Sequence, residues 1–285
     1  MVVRRSDVRA LTARVDDRAA EGTTPLETGA VKALGARLAP LTLLAALIAL
    51  WWYVSTEVLD RTTRALLPPP QAIALAAWEL IRTGDLWRHM LDSLQREIVA
   101  FVWALSAVPL GIAMGWWKSV ERQVDPIVEM LRPVPPLAWI PLSILWFGVG
   151  NTQNEFIIFL GCFFPILVNT VAGVKGVEPN LVRAARCLGA GERQTLWRVV
   201  LRAALPQIVT GIRVGLGVGW MALVAAELVG ASSGLGFLIN DARTVLRTDY
   251  VIVGMATIGI VGLAIDRFIR AITRQLMPWS QSMSR

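Results

Sequence analysis

Charge is scarce in this chain, and so are the residue types on which most catalytic chemistry depends. Asp, Glu, Lys and Arg make up 17% of 285 residues, with one histidine, two cysteines and two tyrosines. The lone His89 excludes the paired-imidazole spacings of zinc sites, and no other metal-ligand spacing occurs. Cys162 falls inside an apolar run and Cys187 in a polar loop, so a disulfide between them is not expected. There is no G-x-x-x-x-G-K-[ST] motif and no strand-loop-helix context to cradle nucleotide phosphates. An integral membrane enzyme is disfavoured on the same grounds, since no acid is placed with a base and no metal motif is present.

What is abundant is apolar. Hydrophobic residues reach 55% and the mean hydropathy is +0.55, more apolar surface than one soluble core of this length needs, so the chain reads as a membrane protein. A helix rising ~1.5 Å per residue needs about 20 apolar residues to cross ~30 Å of hydrocarbon. Six windows qualify, at 38–59, 96–116, 127–148, 155–174, 205–229 and 250–272. The third is interrupted by Pro133, Pro135, Pro136 and Pro141, which prevent a regular helix and free backbone groups that lipid cannot satisfy. Such backbone must face protein or a water-filled cavity, and a segment lining the path competes there with a purely structural kink.

The net charge of +7 reports orientation rather than nucleic acid. With six crossings and the N-terminus inside, the segments 1–37, 117–133, 175–203 and 267–285 hold 7, 3, 6 and 4 Lys/Arg; the opposite side, 60–93, 149–154 and 230–250, holds 4, 0 and 2. That asymmetry is the positive-inside pattern. Residues 1–36 are charged and read as a cytoplasmic, partly disordered tail; Arg4 and Arg5 are not closely followed by an apolar run, which argues against a twin-arginine or cleavable signal. The transmembrane domain is expected over 37–279, with a short C-terminal tail at 280–285.

Within the spans, Arg213 and Glu227 are the informative charges, because an ionised group at mid-bilayer is costly without water or a partner. Arg213 sits about eight residues, ~12 Å, into the fifth window, where it either meets an anion in the pathway or snorkels to the inner headgroups. Glu227 is expected at the outer interface and Asp266–Arg267 as a solvated pair. Gly211, Gly215 and Gly219, like Gly111 and Gly115, recur every four residues and permit close helix approach within the chain or across a dimer seam. Gly215, Gly217 and Gly219 are also a candidate space for a path bordered by Trp220. Trp51, Trp52, Trp116, Trp117 and Trp279 read as an interfacial belt.

The longest polar stretch inside the apolar region is RAARCLGAGERQTLWRVVLRAALP, Arg183 to Pro206. Pro179 can open a short helix with Leu181, Ala184, Ala185 and Leu188 at helical spacing, and Gly189-Ala190-Gly191 breaks it. Leu196, Val199, Val200 and Ala203 give a second helix an apolar stripe, with Arg193, Arg198 and Arg202 elsewhere on its circumference. One stripe is expected on the bundle, with the bend facing the cytoplasm.

This segment resembles the cytoplasmic EAA loop of ABC importer permeases, in which Glu-Ala-Ala, three residues, Gly, nine residues and Ile-x-Leu-Pro form the helix that docks into the ATPase. Ala184, Ala185, Gly189, Val199 and Leu201 match; Arg183 replaces the glutamate, and Arg202 stands at the proline, with Pro206 four residues on. The second helix is therefore expected to continue slightly further before it breaks. LRPVPPLAWIPLSILWFGVG and GIRVGLGVGWMALVAAELVGASSGLGFLI are similar to segments of the taurine, aliphatic sulfonate, nitrate and bicarbonate branch, taurine-type permeases nearest, over about 40–279.

The resemblance implies an all-α, six-helix type I importer permease of the bacterial inner membrane, with both termini cytoplasmic and coupling residues Arg183, Ala184, Ala185, Gly189, Ala190, Val199 and Leu201. Arg213, Gly217, Trp220, Pro135, Pro136 and Trp139 are the candidate translocation path. It further implies a second permease copy, two separate ATPase subunits that bind ATP and Mg, and a periplasmic binding protein. The cargo is a small organic anion, taurine or another alkyl sulfonate, with nitrate, bicarbonate or a small carboxylate as the alternative. An ion-coupled secondary transporter is the rival of another class; it usually needs intramembrane carboxylates or inverted repeats, and neither a mid-span acidic cluster nor a repeat is evident.

Overall fold

The computed structural model describes residues 42–43, 45–60, 63 and 65–276. The expected tails at 1–36 and 280–285, and Trp279, lie outside them. Two compact units divide at residue 65. From the first, the apolar helix α1 (Ala45–Val58) is described, its last turn widened to π geometry over Val54–Val58.

The second unit is helical throughout its described residues. Helix α2 (Pro70–Thr83) opens on a proline and stops at Gly84, whose left-handed φ of 86° turns the chain directly into α3 (Asp85–Ala104). α3 runs into α4 (Ala107–Trp116) through a break at Leu105–Ser106, where the ring of Pro109 excludes a regular turn. α5 (Lys118–Leu131) is amphipathic and keeps Val120, Val124 and Val128 against the core. The prolines then act as expected: Pro135 is extended, Pro136–Trp139 is a single 3-10 turn, and α6 (Ile140–Phe147) restarts with Pro141 in its first turn.

α7 (Asn151–Lys175) is the central element. Beyond it come the exposed α8 (Pro179–Cys187), the single turn α9 (Glu192–Thr195), a π turn at Leu196–Val200, and α10 (Leu201–Gly230). α11 (Leu235–Thr244) and α12 (Thr248–Leu276) complete the chain. Among the described residues, four helices are long and apolar enough to cross a membrane: Asp85–Trp116, Asn151–Lys175, Glu192–Gly230 and Thr248–Gln275. The other two expected windows form shorter apolar helices, Ala45–Val58 and Pro136–Phe147, the latter because the prolines cut it.

The pairing of α7 with α10 is the most extensive in the molecule. Gly211 and Gly215 let the helices approach so closely that a Cβ would stand 2.6 Å from Asn169 Cβ and 2.7 Å from Ile166 Cγ1; at Gly219 it would strike Cys162 Sγ. Gly111 and Gly115 likewise seat α4 on Thr170 and Val174 of α7. The four-residue glycine spacing is thus intrachain packing, and Gly215 and Gly219 leave no open space. Ala104, Ile158, Cys162, Leu167, Leu223 and Leu235 fill the core between these helices.

Candidate functional site

The Arg183–Pro206 segment opens on a sequence-encoded helix end. Leu188 N–H donates to Ala184 O, Gly189 N–H to Arg186 O at 3.0 Å and Ala190 N–H to Ala185 O at 3.0 Å, with Gly189 at φ 82°. This is a Schellman termination, which needs a left-handed residue just past the helix. Gly191 has an ordinary φ of −69°. α8 buries none of its residues: Leu181 and Leu188 are 48% and 88% exposed, Ala184 is exposed, and only Val182 and Ala185 turn inward. The expected apolar stripe of α8 therefore faces outward, away from the bundle. Trp197, 63% exposed, stands beside it on a concavity with Gly191, Glu192 and Arg198.

On the second helix the inward row is Leu196, Val200, Ala204 and Ile208. Val199 is half-buried and Ala203 exposed, because the π turn advances the register by one residue. The helix does not break at Pro206. The proline is carried inside α10, at the cost of one backbone donor, and the helix is continuous from Glu192 to Gly230. Arg213 therefore lies 21 residues into a long helix rather than eight. Arg183, in the place of the motif glutamate, is exposed and donates to Asn180 Oδ1 at 2.7 Å.

The expected path residues do not converge. Pro136 lines a cavity of about 350 Å³ with Arg132, Phe164, Asn169 and Val218, between the proline-rich segment, α7 and α10. Pro135 is in the same turn; Trp139 packs into an aromatic cluster with Trp146 and Phe156, at centroid distances of 6.5 and 6.4 Å. Arg213, Gly217 and Trp220 face a different groove, between α10 and α12. There Arg213 Nε donates to Asp266 Oδ1 at 2.9 Å, and Trp220 Nε1 donates to Ile258 O. Asp266 also accepts from Arg270 at 2.6 Å and makes no ion pair with Arg267, its chain neighbour, which projects to another side of the helix.

Glu227 corrects a further expectation. It is 1% exposed rather than interfacial, because α3 supplies its counter-ion, and only the helix pairing brings the two together. Arg96 Nη1 donates to Glu227 Oε1 at 2.6 Å and to Ser233 O at 2.7 Å; Nε donates to Asn151 Oδ1 and Nη2 to Ser233 Oγ. Ser93 Oγ and Gly236 N–H satisfy the carboxylate further, at 2.9 Å each, and His89 Nδ1 accepts from Gly234 N–H. Charge and donors are thus matched, as a buried ion pair requires. Next to Arg96 in the chain, the Glu97 carboxyl is 2% exposed with no hydrogen-bond partner among the described residues. Arg96 lay at the very edge of its apolar window, which concealed it. The i, i+4, i+7 spacing of His89, Ser93 and Arg96, which puts the three on one helix face, was the available signal. Among the described residues no His/Cys/Asp/Glu cluster could hold a metal, and Cys162 and Cys187 are both free.

A bundle of apolar helices organised around a close glycine-mediated pair, with one exposed amphipathic turn, defines a multi-pass membrane permease. The fold is similar to that of the MetNI methionine ABC transporter in inward-facing conformations, with TM-score 0.53 and 22% identity over 69% of this chain and 97% of that one. Residues 107–278 match the family described as binding-protein-dependent transport system inner membrane component, and the chain belongs to that family. Its relatives include the taurine transport system permease protein TauC of Escherichia coli (strain K12), 44% identical over 242 residues, 83% of this chain and 87% of the relative. The putative aliphatic sulfonates transport permease protein SsuC of Bacillus subtilis (strain 168) is 40% identical, covering 85% of this chain and 87% of its own. The nitrate import permease protein NrtB of a Synechocystis species is 31% identical, covering 85% and 90%. The chain is an ABC importer permease, a transport component rather than an enzyme.

Proposed function

We propose that this permease carries a small organic sulfonate, taurine or a close alkyl analogue, inward across the bacterial inner membrane. The observation that carries this reading is the gradient of identity, 44% to the taurine permease and 40% to the sulfonate permease against 31% to the nitrate permease, over similar shares of the chain. Two copies would enclose the path, a periplasmic binding protein would deliver the anion, and separate ATPase subunits holding ATP and Mg would dock on α8. Both termini and the 175–203 loop would be cytoplasmic, in keeping with the Lys/Arg asymmetry.

The exposed row Leu181, Ala184 and Leu188 supports the docking role, since an unpartnered apolar face on a short helix fits a groove in another subunit. Arg183, Ala185, Gly189 and Ala190 set its end, and Val199 and Leu201 join it to the long helix. Of the candidate path residues, Pro135 and Pro136 keep that role, with Arg132 in the same cavity to attract an anion. Uptake into proteoliposomes containing the whole complex tests the substrate. Taurine and alkyl sulfonates are expected to compete with labelled taurine, and nitrate at the same excess is not. Competition by nitrate alone would overturn the reading.

A further inference from the structure

The groove between α10 and α12 is basic at one end and apolar at the other. Its mouth, a cavity of about 500 Å³, is lined by Thr210, Arg213, Asp266, Arg270, Thr273 and Arg274. Asp266 is the one carboxylate there, and it is already shared by Arg213 and Arg270. Arg274 has no ion pair among the described residues, so the mouth keeps a surplus of two positive charges and the Thr273 hydroxyl, while Thr210 Oγ1 already donates to Pro206 O. From the same Arg213 and Asp266, a slot of about 70 Å³ continues deeper between the helices, walled by Leu216, Trp220, Ile265 and Ile269 and floored by Gly217 and Gly262. Gly217 is open: a Cβ there would meet no atom within 4 Å. On the wall of the mouth, Val214 is 45% exposed.

We infer that this groove holds an anionic phospholipid, its phosphodiester headgroup in the arginine mouth and one acyl chain in the slot. Two arginines tied to one carboxylate leave donors free, and a phosphate takes guanidinium donors bidentately while the Thr273 hydroxyl supplies a further bond. The surplus lies at the C-terminal end of α12, where Arg267, Arg270 and Arg274 collect, a position at which basic pockets between spans meet the headgroup layer. A free anion would use the mouth alone. The slot opening from the same two residues favours a ligand that is charged at one end and apolar at the other. The inference is independent of which substrate is carried.

The test uses the full-length permease, purified in non-ionic detergent with its ATPase and titrated with phosphatidylglycerol, phosphatidylcholine or glycerol 1-phosphate, with adducts counted by native mass spectrometry. Phosphatidylglycerol is expected to bind at least about tenfold more tightly than phosphatidylcholine, and the R270Q/R274Q double variant to lose about thirtyfold of that affinity, taking the usual contribution of each basic residue near an anionic surface. Gly217→Leu fills the slot from open space and is expected to weaken lipid binding about tenfold while leaving glycerol 1-phosphate unaffected, since one leucine side chain displaces a comparable length of acyl chain. Gly259→Leu, also in open space but away from the groove, is the fold control. Equal affinity for the two lipids, or affinity unchanged in both variants, would overturn the proposal. So would glycerol 1-phosphate displacing the lipid at equimolar concentration, which would make the mouth a free-anion site.

Discussion

Arg96 and Glu227 meet at 2.6 Å across 131 residues of chain, each with less than 5% of its surface exposed. The pair joins α3 to the end of α10 and, through Ser233 and Gly236, to the start of α11.

Removing one partner leaves the other charge buried without compensation, a loss of about 3–5 kcal/mol. Arg96→Met and Glu227→Met are each expected to lower the thermal midpoint of the detergent-solubilised permease sharply, and the double variant to recover much of it. Glu97→Gln, at the residue after Arg96, is expected to be neutral or stabilising, because it removes an ionisable group that has no partner to lose. A Glu97→Gln loss as large as that of Glu227→Met would show that the two carboxyls act as one unit.

Gly189→Val forces a β-branched residue to a φ of 82° at a site with room for its side chain, so the cost is backbone strain of about 1–2 kcal/mol without a clash. The bundle is expected to fold, with the direction of α8 changed and either ATPase recovery or coupling of hydrolysis to uptake lost. Gly191→Val, at φ −69°, is the control and is expected to couple normally. The measurement is substrate moved per ATP hydrolysed in proteoliposomes.

Gly219→Val drives its side chain into Cys162 and Glu97 between tightly packed helices. Overpacking of this kind costs about 1–3 kcal/mol, and more where backbone must move. Expression and thermal stability are expected to fall, while Gly217→Val, two residues earlier and open, keeps both near wild type.

Orientation is checked by cysteine accessibility in a Cys187→Ser background, since Cys187 is exposed and Cys162 buried. A membrane-impermeant maleimide applied from the periplasmic side is expected to label Asp241→Cys and to spare Glu192→Cys and Arg5→Cys. Labelling at 192 would reverse the assigned topology.

The apolar windows, the proline break and the helix end at Gly189 were legible because each follows from local chemistry: transfer free energy, a missing N–H, a φ that favours glycine. Glu227, Arg213 and Asp266 were misplaced because their partners lie 131 and 53 residues away. Composition ranks a charge in an apolar run as interfacial by default, and only the α3–α10 and α10–α12 pairings bring Arg96 and Asp266 within reach. The outward turn of α8 was hidden for a related reason. An apolar stripe is the same in sequence whether it packs inside its own chain or waits for another, and the π turn at Leu196–Val200 shifted the inward row by one residue.

The uninterrupted helix from Glu192 to Gly230 has a mechanical consequence. Its 39 residues make a rod of about 58 Å at 1.5 Å per residue, anchored at the Gly230 end by the buried ion pair and seated near the Glu192 end only through the apolar cluster of Leu196 and Val200. Swung about the ion pair, a rod of this length turns a 5 Å displacement of its Glu192 end into a tilt of about 5°. The close glycine seam with α7 resists separation of the two helices, so α7 must tilt with it. The π turn, nine residues or fewer from the Glu192 end, and Pro206, with its missing donor, are the irregular points along the lever.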